Sequence, residues 1–156
     1  MRTIPRHILF VCTGNTCRSP MAAAFAVRLA RERGLDVRVS SAGLCAAAAP
    51  ASAQAVQVMA EQGISLAGHR AQPLSQALCD RAEIILTMTA AQRNTILHQF
   101  IGTKDKTFLL SGGAEAAAKA ADVADPFGGG LEEYRRSRDE IAECVRRIFE
   151  KWRERP

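Results

Sequence analysis

Aromatic residues make up only 5% of this 156-residue chain, with a single Trp and a single Tyr. Platforms for base stacking are therefore scarce, and a nucleic-acid partner is not expected. No apolar run reaches membrane-spanning length. The N-terminal stretch Met1-Arg2-Thr3-Ile4-Pro5-Arg6-His7 carries positive charge, but no apolar segment and no cleavage site follow it. The expectation is a cytoplasmic protein with no membrane association. Five cysteines (Cys12, Cys17, Cys45, Cys79 and Cys144) are an odd number at irregular spacing, which argues against a secreted disulfide framework. None stands in a CxxC or CxxH pair of the kind that holds zinc. Neither a metal nor an organic cofactor is expected, and Cys45, Cys79 and Cys144 read as bystanders in or near the core.

What is present is ordinary in proportion: 47% hydrophobic and 24% charged residues. The length suits one domain over 1–156, large enough to bury a core without metal or disulfide. The net charge of +5 suits anionic substrates such as phosphate esters, and equally a surface decorated with Arg.

Residues 7–12 (HILFVC) form a short apolar run, interrupted by Gly14, Asn15 and Ser19-Pro20. Residues 20–33 then read as a helix with Ser19 as N-cap, Pro20 at the first helical position and Gly34 past the end. Further strands are predicted at 36–40, 83–88 and 107–110. Further helices are predicted at 51–62, near 90–100 and over 131–153, where Leu131, Tyr134, Ile141, Val145, Ile148 and Trp152 share one face. Two Ala-rich stretches, 46–53 and 114–121, carry little information; the second reads as a short helix or a loop. The alternation of strand and helix predicts an α/β fold, a parallel sheet with helices on both faces. Ligands of such sheets bind at the carboxyl ends of the strands, where the loop after the first strand lies.

That loop reads Cys12-Thr13-Gly14-Asn15-Thr16-Cys17-Arg18-Ser19. A strand leads in, a Gly/Asn turn follows and a helix leaves. Successive backbone N–H groups then point into one concavity, where the helix N-terminus adds positive potential. A tetrahedral dianion fits there, and Arg18 can hold two of its oxygens. The same field favours a thiolate at Cys12, placed as an in-line nucleophile on phosphorus. Ser19 can donate to that thiolate or cap the helix. A leaving group needs a proton, and Asp125-Pro126-Phe127, followed by three glycines, offers one. Asp125 on such a loop can act first as general acid and then as base, although Asp-Pro also simply begins turns.

With these residues in view, the chain resembles the low-molecular-weight protein tyrosine phosphatase family. CTGNTCRSPM (12–21), Ser41-Ala42-Gly43, Gly68-His69-Arg70-Ala71 and Asp125-Pro126 match its motifs in order and at similar spacing. The resemblance implies a four-stranded parallel sheet in one three-layer domain. It implies Cys12 as nucleophile, Arg18 as phosphate clamp and Asp125 as acid and base. Thr13, Gly14, Asn15, Thr16, Cys17, Ser19 and Phe127 become the substrate-binding set. Asn15 would hold the strained loop, with His69 as its structural partner. The implied partners are phosphorylated proteins.

Three positions look more like the protein-arginine phosphatase branch: Thr16 for a larger aliphatic residue, Phe127-Gly128 for a tyrosine-rich stretch, and Thr89 for Asp. Phosphoarginine presents a branched polar guanidinium. Thr16 would shrink the apolar wall, and Asp125 could both pair with the guanidinium and protonate its nitrogen. Fewer rim aromatics would remove the stacking a phenyl ring prefers. The alternative is a tyrosine phosphatase in which these changes are drift. Cys17 could form a reversible disulfide with Cys12 under oxidation, or merely pack in the loop. A thiol-coupled arsenate reductase would need relay cysteines after the third strand, and residues 84–100 contain none. A non-catalytic phosphate-binding module would need neither Cys12 nor Asp125.

Overall fold

The computed structural model describes residues 2–113 and 120–153. Most of the second Ala-rich stretch lies outside them. Within the described residues the elements run β1 (Arg2–Thr3), β2 (His7–Cys12), α1 (Arg18–Glu32), β3 (Arg38–Gly43), α2 (Ala53–Ala60) and α3 (Gln76–Arg81). They continue with β4 (Ile84–Thr87), α4 (Ala90–Gln99), β5 (Thr107–Leu109), α5 (Leu131–Lys151) and β6 (Trp152–Arg153).

The main sheet is parallel throughout, in the order β3-β2-β4-β5. β2 lies in its interior, which is why all six of its residues are buried and why HILFVC reads as an unbroken apolar run. Its side chains alternate between two cores. Ile8, Phe10 and Cys12 pack with residues of α1, α2 and α5, whereas Leu9 and Val11 pack with Leu78 and Cys79 of α3 and Ile96 of α4. Helices thus cover both faces, as the alternating pattern predicts. From β2 the chain goes to one side for β3 and to the other for β4. The carboxyl ends of β2 and β4 therefore frame the crevice where such a sheet holds ligands.

Several boundaries differ from the sequence-based expectation. α1 begins at Arg18 with Cys17 in the cap position and no side-chain cap bond, so Ser19 is not the N-cap and Pro20 is not the first helical residue. The reason is that the Ser19 hydroxyl is engaged elsewhere, by Cys12 and Asn15. β3 covers 38–43 rather than 36–40, because its register follows β2 from His7↔Arg38 to Cys12↔Gly43. Gly43 ends that strand against the loop. A Cβ there would lie 2.7 Å from the Thr13 carbonyl oxygen and 3.0 Å from Asn15 Cβ, so only glycine permits the approach. α3 is too short, at six residues, to show a period, and was not expected. Tyr134, Ile141, Val145 and Ile148 of α5 are buried as expected. Trp152, however, lies beyond the helix, in a strand that pairs with β1. Cys79 and Cys144 are buried, but Cys45 is exposed and is no core residue. No helix among the described residues is long and apolar enough to cross a membrane.

Candidate active site

The loop between β2 and α1 folds over Cys12. Asn15, at φ 56°, is the non-glycine residue with left-handed backbone among the described residues. That conformation is strained for most side chains and tolerated best by Asn and Asp. It is held from several sides. The Asn15 carbonyl accepts from His69 Nε2 at 2.7 Å, which requires the Nε2–H tautomer. Its side-chain Oδ1 accepts from the Gln72 backbone N–H at 3.0 Å. Since that N–H can only donate, the amide orientation is fixed, and Nδ2 must donate to Ser19 Oγ (2.7 Å) and Ser41 Oγ (3.0 Å). Asn15 is fully buried, so each of these bonds replaces water that cannot reach it.

Cys12 is buried, with 3% of its surface exposed. Its sulfur lies 2.9 Å from Ser19 Oγ and accepts the Asn15 backbone N–H at 3.2 Å. Arg18, at 5% exposure, is fixed by donating from Nη1 to the Val123 carbonyl at 2.9 Å. Its Nη2 lies 3.5 Å from Oδ2 of Asp125, whose side chain is 53% exposed. Asp125 Oδ1 accepts from the Phe127 backbone N–H at 3.1 Å, so the Asp-Pro turn is real and also aims the carboxylate.

Cys12, Thr13, Gly14, Thr16, Cys17, Arg18, Asp125 and Phe127 line one cavity of about 230 Å³. The structure thus brings eight of the eleven sequence-predicted residues to a single pocket. The other three do not line it: Asn15 anchors the loop from within, and Ser19 and His69 are among its hydrogen-bond partners. Phe127 is 77% exposed, a lone ring against the pocket. Cys17 is a free thiol whose sulfur lies 3.3 Å from Tyr134 Oη and 3.4 Å from Ser52 Oγ. Burial, and then the contact with Cys17, push the Tyr134 phenol up to about 12, so it stays a neutral donor.

Sequence reasoning missed four supports: Ser41 and Gln72 behind Asn15, Tyr134 beneath Cys17, and Gln92. Gln92 is buried, and its Nε2 donates to Thr13 Oγ1 at 3.1 Å. Its Oε1 accepts the backbone N–H groups of Met88 and Thr89. Thr89 and Gln92 form a reciprocal capping box on α4. The signal was legible as Thr-x-x-Gln ahead of a helix. It also gives Thr89 a capping role that Asp would serve equally well. Among the described residues no cluster of His, Cys, Asp or Glu could hold a metal.

A cysteine sulfur facing O–H and N–H donors, with a guanidinium in the wall of an anion-sized pocket, defines a cysteine-dependent phosphatase. Residues 7–155 match the low molecular weight phosphotyrosine protein phosphatase model, and the chain belongs to that family. It is 44% identical over 149 residues to a protein-arginine-phosphatase of Geobacillus stearothermophilus, covering 95% of this chain and 97% of that one. It is 38% identical over 148 residues to the probable low molecular weight protein-tyrosine-phosphatase EpsP of Ralstonia nicotianae, covering 94% and 93%. A solved structure of the YwlE arginine phosphatase is similar with a TM-score of 0.87 at 39% identity, covering 93% and 94%. In that protein a cysteine-to-serine substitution leaves a phosphorylated active-site serine.

Proposed function

We propose that this phosphatase removes phosphate from arginine side chains of proteins through a phosphocysteine at Cys12. The thiolate attacks phosphorus, the P–N bond breaks, and Asp125 delivers a proton to the departing guanidine nitrogen. Asp125 then takes a proton from water, which attacks the phosphocysteine. Inorganic phosphate leaves and the thiolate returns. Arg18 and the loop N–H groups carry the charge on the equatorial oxygens.

The observation that carries the arginine reading is Asp125 beside Arg18: the carboxylate already faces a guanidinium at 3.5 Å, at a pocket whose wall is Thr16 and Cys17. The similarity to protein-arginine phosphatases supports the same reading. Phosphorylated proteins in the cytoplasm, with no nucleic-acid partner, complete the proposal. The test is kcat/KM for phosphoarginine and phosphotyrosine peptides in the native chain and in Thr16→Ile. Preference for phosphoarginine, shifted toward phosphotyrosine by the substitution, is expected. Preference for phosphotyrosine in the native chain would return the enzyme to the tyrosine branch. The expected shift is about 10- to 200-fold, the range small apolar pocket changes command.

A further inference from the structure

A second, larger groove of about 510 Å³ opens beside the catalytic pocket and shares Thr13, Arg18 and Asp125 with it. Its far walls come from α4 and from the segments after β3 and before Asp125. They include Leu44, Ala91, Thr95 and Asp122. Two carboxylates, Asp122 and Asp125, face this space. The cation among its lining residues is Arg18, which is buried and already bonded to the Val123 carbonyl and placed against Asp125. The groove is therefore acidic on a chain whose net charge is +5. Asp122 is exposed, and its Oδ1 accepts the Ala90 N–H at the start of α4 at 2.8 Å, which fixes the carboxylate in place. Leu44, Ala91 and Ala124 supply small apolar surfaces of the kind a Lys or Arg stem covers while its head reaches a carboxylate.

We propose that this groove binds the polypeptide flanking the phosphorylated residue and favours a basic side chain against Asp122. The inference rests on the protein-phosphatase reading above. A phosphorylated side chain seated in the smaller pocket puts its phosphate against Arg18 and leaves its own main chain at the mouth, where the half-exposed Asp125 borders both spaces. A neighbouring residue then falls into the groove.

Two peptides with the same phosphorylated residue, one flanked by Lys and one by Glu, test this. The small ester p-nitrophenyl phosphate serves as a report on the catalytic pocket alone. kcat/KM is expected to favour the Lys-flanked peptide by about threefold at low salt, the size of an exposed ion pair. Asp122→Asn keeps an acceptor for the Ala90 N–H but removes the charge, and should bring the ratio close to one. Equal turnover of both peptides by the native chain would overturn the proposal while leaving the phosphatase reading intact. So would a ratio that Asp122→Asn does not alter. Failure to turn over either peptide or the ester above a Cys12→Ala blank would instead sink the catalytic reading. In that case fluorescence anisotropy of the two labelled peptides decides the groove by the same ratio of affinities.

Discussion

The Ser19 hydroxyl lies 2.9 Å from the Cys12 sulfur while its oxygen accepts the Asn15 side-chain amide at 2.7 Å. The amide supplies the proton for that second bond, so the hydroxyl's own proton is free to be donated to sulfur. In the proposed mechanism that proton would stabilise the charge on sulfur as the thiolate leaves phosphorus in the second step. Removing a hydrogen bond to a charged group costs about 1.5–3 kcal/mol. Ser19→Ala is expected to lower kcat about 10- to 100-fold with little change in KM. Steady-state kinetics check this, and an undiminished kcat would assign Ser19 to scaffolding alone.

Asn15 combines a strained backbone with a buried side-chain network, and two substitutions separate the contributions. Asn15→Gly and Asn15→Ala both lose the bonds to Ser19, Ser41 and Gln72. Only alanine retains the cost of the left-handed conformation. Urea unfolding should find both variants destabilised, with Asn15→Ala lower by about 1 kcal/mol. Equal stability of the two would mean that the loop relaxes out of that conformation when its anchors go.

Asp125→Asn removes the proposed proton donor with little change of shape. Loss of a positioned acid–base group costs about 100- to 10,000-fold in kcat. The contact with Arg18 is half-exposed on the Asp125 side, so stability should change by less than about 1 kcal/mol. A large drop in the urea midpoint would show instead that Asp125 acts mainly by holding Arg18.

Alkaline conditions should weaken the fold through two buried groups. Burial raises the Cys79 thiol to about 11, and burial with the Cys17 contact raises the Tyr134 phenol to about 12. Both groups keep their protons in the native state at pH values where the unfolded chain has released them. Stability therefore falls as pH rises through about 9 to 12. Tyr134→Phe has no such proton to hold, and its thermal midpoint should fall less steeply between pH 10 and 12. An unaltered slope would remove Tyr134 from that transition.

The fold and the pocket were legible to different depths. HILFVC, the Gly/Asn turn and the helix after it are local signals, and they led to Cys12, Arg18 and the crevice at the end of β2. Asp125 was reachable because Asp-Pro before three glycines marks a loop. The start of α1 was misread because Ser19 satisfies the residue preference for a cap, while its hydroxyl is claimed by a sulfur and an amide that only the folded loop brings near. Tyr134 lies 117 positions from Cys17, and Gln92 lies 79 from Thr13. No periodicity or spacing connects such pairs; the sheet order does. The two-residue strands β1 and β6 carry no pattern long enough to read.

The covalent step is tested most directly by rapid quenching of the first turnover with a phosphoarginine peptide, followed by mapping of the bound phosphate. Cys12→Ala is the blank, because serine at the nucleophile position of a relative carries phosphate itself. The prediction is phosphate on the Cys12 peptide, formed as fast as the arginine product appears and absent from the blank. Phosphate release without any labelled Cys12, or at the same rate in Cys12→Ala, would contradict the account.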